Sequence, residues 1–157
     1  MGRKCLVAGL LLVILVSSGY VGQFFLVSFL WGQADGAFHR GQYQKVQRCL
    51  TVITWLRPSD EEAYLLKGWL QWSQAYELMQ KGRPYHQKLE MASCTLKDGQ
   101  DKNPSSWRLF YEEGIMWEAF HEQTRSLEAY YQMSLRCGPP YSRMYSWKKA
   151  RLSLKAP

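Results

Sequence analysis

From Cys5 to Ala34 the chain carries no charged residue. A helix rises about 1.5 Å per residue, so roughly 20 apolar residues span the hydrocarbon core of a bilayer. This run is longer than that, and too long for the buried helix of a globular core. Two membrane readings follow. Val16 and Ser18 satisfy the small-residue rule for signal-peptide cleavage ahead of Gly19. Against cleavage, apolar character continues through Phe24, Phe25, Leu26, Phe29 and Leu30, where a mature N-terminus turns polar. Residues 1–32 are therefore expected to form an uncleaved transmembrane anchor. Within it, the small pair Ser18 and Gly22 would let a second transmembrane helix approach closely.

Lys and Arg near a membrane prefer the cytoplasmic side. Arg3 and Lys4 abut the uncharged run, whereas the far side offers Asp35 first. The expected topology is a cytoplasmic N-terminus and an extracytoplasmic C-terminal body, periplasmic in a bacterium. The net charge of +7 is unevenly placed. Residues 33–135 hold twelve basic and thirteen acidic side chains, whereas the segment from Arg136 onward holds six basic ones and no acid. A near-neutral body with a basic tail is not a uniformly basic nucleic-acid binder.

Beyond residue 33 nothing alternates with period two for long, and hairpin signals such as Asn-Gly are absent, so the body is expected to be all-α. The anchor is expected to run straight into the first body helix, which meets its first stop at Arg40-Gly41. Tyr43, Val46, Leu50, Ile53 and Leu56 recur at helical spacing until Pro58 forbids continuation. Ser59 and Glu62 read as a capping box. Leu65, Trp69, Trp72, Tyr76 and Met79 then mark one face, up to Lys81-Gly82. A helix is expected from Tyr85 to Leu96, followed by a loop over KDGQDKNPSS. Pro104 suits the first turn of a helix holding Trp107, Phe110, Gly114 and Trp117. The pattern predicts a further helix from Gln123 to Cys137 and a last one from Tyr141 to Leu154. In that last helix Tyr141, Met144, Tyr145 and Leu152 share one side, while Arg143, Lys149 and Lys155 face solvent.

Repeats are visible in the spacing. Ala34 to Gly68 is 34 residues, Pro58 to Pro104 and Gly68 to Gly114 are both 46, and Pro104 to Pro139 is 35. Gly41, Tyr43, Val46, Leu50, Pro58, Tyr64 and Gly68 together resemble the tetratricopeptide repeat, best over residues 41–68 and more loosely over 27–140. Lys67 and Glu113 stand where that family has Leu, and Gln71 where it has an aromatic. The resemblance implies about three antiparallel helix pairs over residues 33–140 and a basic capping helix in 141–157. A generic bundle of helical hairpins is the alternative. The tetratricopeptide resemblance further implies a protein-binding groove lined by the first helices. At matching positions these are Trp31, Asp35, Phe38 and His39, then Glu62, Leu66, Trp69 and Trp72, then Arg108, Tyr111, Ile115 and Glu118.

Motifs of catalysis are missing. Cys5, Cys49, Cys94 and Cys137 lack zinc-site spacing, and the last three are expected to fill small apolar positions in second helices. His39, His86 and His121 are scattered, and no phosphate loop, nucleophile elbow or His-Glu-x-x-His occurs. No enzyme activity, cofactor, metal or small-molecule substrate is expected. The expected function is a membrane-anchored scaffold, or an accessory or assembly subunit of a larger membrane complex. Its partners would be other proteins, and lipid through the N-terminal helix, with no nucleic acid. The alternative is a peripheral binder of anionic lipid or nucleic acid through the basic tail; an enzyme is third.

Overall fold

The structure, a computed structural model, describes residues 2–138 and 143–153, with side chains for 17–138 and 143–149. Among the described residues there are seven helices and no strand, so the chain is all-α as expected. They are α1 (Gly2–His39), α2 (Tyr43–Leu56), α3 (Glu61–Gln80), α4 (His86–Lys102), α5 (Trp107–Ala119), α6 (Gln123–Ser134) and α7 (Met144–Ser153). Among the described residues no helix is long and apolar enough to cross a membrane. The side chains of residues 5–16, the most apolar part of the expected anchor, lie outside them. Two compact units divide at Arg57 and Pro58. The expected domain boundary at residue 32 falls inside α1, which passes through it unbroken.

In the first unit α1 and α2 are antiparallel. Gln23 bonds the carbonyl of Leu56 at the end of α2, while Lys45 near its start reaches Gln33 at 3.0 Å. Val27, Ala34 and Ala37 of α1 are buried with Val46, Cys49, Leu50 and Ile53 of α2. In the second unit α3 and α4 are antiparallel too, because Tyr64 lies against Gly99 and Gly68 against Leu96. So are α5 and α6, where Gly114 meets Tyr130 and Ser126 Oγ donates to the Gly114 carbonyl at 3.0 Å. Helix α5 also packs on α3 and α4, and α7 packs on α6.

One buried register recurs in all three second helices. Positions 46, 49, 50 and 53 of α2 are buried, as are 92, 95, 96 and 99 of α4, and 126, 129, 130 and 133 of α6. This i, i+3, i+4, i+7 stripe is the side of a helix that packs on a neighbour. The first helices also end alike. Gln42, Arg83 and Glu122 each donate a backbone N–H to the carbonyl five residues back, at 2.9 Å. The preceding residues Gly41, Gly82 and His121 bond three back and take φ of 68, 64 and 63 degrees. Each closure is a Schellman motif, whose left-handed position favours glycine.

Several local expectations are corrected. Helix α4 does not stop at Leu96 but runs to Lys102, absorbing much of the expected loop. Gly99, a poor helix former, is retained because its bare Cα lets α4 pass Tyr64; a Cβ there would lie 2.8 Å from Tyr64 Cβ. Asp60, not Ser59, caps α3, accepting from Ala63 N–H at 3.3 Å. Pro104 lies in the turn before α5, whose cap is Ser106. Helix α6 ends at Ser134, short of Cys137. Tyr141 and Leu154, the expected ends of the last helix, lie outside the described residues. Trp69 and Tyr76 are 38% and 39% exposed, because the buried face of α3 is instead Tyr64, Gly68, Gln71 and Ala75. Cys94 is exposed and does not fill a packing position, whereas Cys49 is buried.

The polar departures from the repeat pattern are paired. Gln71 is buried and its Oε1 accepts from Thr95 Oγ1 at 2.7 Å. Glu113 is buried and accepts from Gln100 Nε2 at 2.8 Å and from Trp117 Nε1 at 3.2 Å. Unpaired, each would cost about 1–3 kcal/mol. Lys67 is half-buried, and burial lowers its pKa against the opposing pull of Asp98.

Candidate protein-binding face

In the second unit the first helices of two hairpins, α3 and α5, lie side by side and are tied by polar links. Arg108 reaches both carboxylate oxygens of Glu62 and lies 3.6 Å from Glu61, and the bond to Glu62 raises the guanidinium pKa further. Trp72 Nε1 donates to Glu112 Oε1 at 2.8 Å. Burial raises the Glu112 pKa, with the Trp72 bond opposing. Between these links opens a cleft of about 440 Å³ whose apolar walls are Leu65, Leu66, Trp69, Trp107 and Tyr111. Its charged rim is Glu62, Arg108 and Glu112.

Tyr111 also walls a second hollow of about 740 Å³, with Ile115, Glu118, His121 and Lys148. Glu118 Oε2 accepts from Tyr130 Oη at 2.8 Å and from Lys148 Nζ at 2.6 Å. Burial, and then the bond to Glu118, push the Tyr130 hydroxyl pKa far up, so it stays a donor. Lys148 is only 8% exposed and sits 4.8 Å over the Tyr130 ring. The α7 residues Met144 and Tyr145 pack on the same cluster of Phe110, Tyr130 and Met133. Part of the basic tail is thus built into the body.

Of the residues expected to line a groove, Glu62, Leu66, Trp69, Arg108 and Tyr111 meet at the first cleft. Tyr111, Ile115 and Glu118 meet at the second. Trp72 packs against the core and bonds Glu112, so it braces the face. Trp31, Asp35, Phe38 and His39 belong to α1 in the first unit, where Asp35 lies 3.4 Å from His39 and Phe38 packs 6.0 Å from the Tyr43 ring. Ser18 and Gly22 are exposed on α1, and a Cβ at Gly22 would meet nothing within 4 Å. Sequence reasoning missed Trp107, Glu112 and Lys148. The signal for Lys148 was present, since it follows Met144 by four residues and Tyr145 by three, on their side of the helix.

Among the described residues no group of His, Cys, Asp and Glu could hold a metal ion, and Cys49, Cys94 and Cys137 are free thiols. Comparison with models of protein families, with curated proteins and with solved structures found no match to this chain.

Proposed function

We propose that this chain is a single-pass membrane-anchored helical-repeat protein, built on the tetratricopeptide plan, that docks other proteins as an accessory or assembly subunit. The observation that carries the reading is the open cleft between two successive first helices, with aromatic and leucine walls and a charged rim. Trp, Tyr and Arg dominate the energetics of protein interfaces, and the braces Arg108–Glu62 and Trp72–Glu112 pre-organise the walls. Support for the repeat plan comes from the recurring buried register and the three Schellman closures. Support for the anchor comes from the uncharged run Cys5 to Ala34, and Arg3 and Lys4 favour a cytoplasmic N-terminus with the body on the other side. The tail-binding alternative has fewer free cations than the sequence suggests, because Lys148 is committed to Glu118.

The test places a photo-crosslinking residue at Leu66 in the full chain in its native membrane, and at exposed Gln87 as a control. One protein of defined mass is expected from position 66, lost in a Trp69→Ala background and absent from position 87. Equal crosslinking from both positions, or none from 66, would overturn the docking face.

A further inference from the structure

The first unit carries a surface that the docking reading does not use. The bond from the Gln23 amide to Leu56 sets the end of α2 level with Gln23 on α1. Helix α2 and its flanking residue carry Lys45, Arg48 and Arg57 and no acid, so this hairpin cannot sink into hydrocarbon. Any bilayer crossed by α1 must therefore end at or before that level, short of residue 32, where the sequence reading ends the anchor. The uncharged segment above it, residues 5–22, would span about 27 Å at helical rise, close to the ~30 Å of a hydrocarbon core.

At this level the molecule exposes what an aqueous surface disfavours. Trp55 is 78% exposed, Tyr20 71%, Phe25 68% and Phe24 60%. Arg57 follows, also exposed. Trp and Tyr concentrate at membrane interfaces, and basic side chains gain from anionic headgroups.

We propose that the open end of the α1–α2 hairpin, away from its turn and formed by Tyr20, Phe24, Phe25, Trp55 and Arg57, is a membrane-interface seat. It rests on lipid headgroups on the body's side and sets how far α1 inserts. The occupant is lipid, on three grounds: the end is continuous with the uncharged run, its length leaves one bilayer core above it, and its charge is of one sign. The inference rests on the anchor reading, and its test separates the two.

The full chain is reconstituted into phosphatidylcholine–phosphatidylglycerol vesicles whose acyl chains are brominated near the headgroup. Bromine quenches nearby tryptophan. Wild type is expected to lose part of its emission, and Trp55→Phe to lose at least half of that quenchable part, while Trp147→Phe leaves it unchanged. Carbonate washing is run in parallel. Protein retained after washing with the same quenching in Trp55→Phe would keep the anchor and overturn the seat. Trp55 unquenched by bromine but shielded from aqueous iodide would mean that protein covers this end, which also overturns it. Protein released by carbonate would overturn anchor and seat together.

Discussion

The ring of Tyr130 occupies the space that a side chain at Gly114 would need. A Cβ built on Gly114 would stand 2.5 Å from Tyr130 Cε1 and 2.6 Å from Cδ1, closer than real Cβ atoms come to anything. In the preceding hairpin a Cβ built on Gly68 would stand 2.7 Å from Leu96 Cδ2. The glycines are 46 residues apart and occupy the same place in α3 and α5. They differ in what could yield. Both are fully buried, but Leu96 meets the added atom with the branched end of a side chain that has no polar tether, whereas the Tyr130 ring is held by Glu118 through its hydroxyl.

Gly114→Ala is therefore expected to destabilise the full chain in mild detergent by about 1–3 kcal/mol, overpacking outweighing the roughly 1 kcal/mol gained in helix propensity. Gly68→Ala is expected to cost less. In a Tyr130→Leu background the penalty of Gly114→Ala is expected to disappear, which denaturant titration of the four-member cycle would read. An undiminished penalty would place the strain elsewhere than Tyr130.

The pair Lys148–Glu118 has side chains only 10% and 20% exposed. Lys148→Met keeps the aliphatic stem and leaves Glu118 with the Tyr130 hydroxyl, at an expected cost of about 1–3 kcal/mol. Arg143 and Lys149 are exposed, so Arg143→Gln and Lys149→Gln are expected to change stability by less than about 0.5 kcal/mol. Amide exchange in α7 is the direct readout, accelerating in Lys148→Met alone. Equal behaviour of all three variants would mean that α7 is not pinned by this pair.

Element type was legible in the sequence because 3.6-residue spacing survives in every segment, and Pro58 and Gly82 punctuate it. What misled were places where tertiary packing overrides local preference. KDGQDKNPSS has the composition of a loop, yet α4 continues through Asp98 and Gly99 because Tyr64 and Leu109 pack on the bare glycine. The stripe Leu65, Trp69, Trp72, Tyr76 and Met79 looks like a core face by hydropathy. The neighbour's approach is decided instead by the small residues Gly68 and Ala75, which turn Trp69 and Tyr76 outward. Five of the eight residues that line the candidate cleft were legible at repeat positions. Trp107 and Glu112 were not, since nothing in linear spacing says that Trp72 reaches across forty residues to a carboxylate.

His121 holds a left-handed conformation where the matching positions are Gly41 and Gly82. A non-glycine residue there costs about 1–2 kcal/mol in backbone strain. His121→Gly is expected to raise stability by about 1 kcal/mol, and Gly82→Ala to lower it by a similar amount. Because His121 also walls the second hollow, the variant removes a lining side chain together with the strain. A stabilised variant that loses its partner would show that the His121 side chain serves recognition at a cost in backbone strain, whereas a variant no more stable than wild type would refute the strain itself.

Glu112 gives the chain a pH dependence of definite sign. Burial places its folded pKa above the unfolded value, with the Trp72 bond opposing. The folded state then binds this proton more tightly than the unfolded one. Ionised Glu112 is thus a penalty above the folded pKa, relieved as pH falls through that pKa toward the unfolded value. Glu112→Gln keeps an oxygen for Trp72 Nε1 and removes the charge. It is expected to raise the thermal midpoint at pH 7, the advantage shrinking across the acid range until the curves meet. A variant less stable than wild type at pH 7 would show that the charged bond from Trp72 outweighs the burial of the carboxylate.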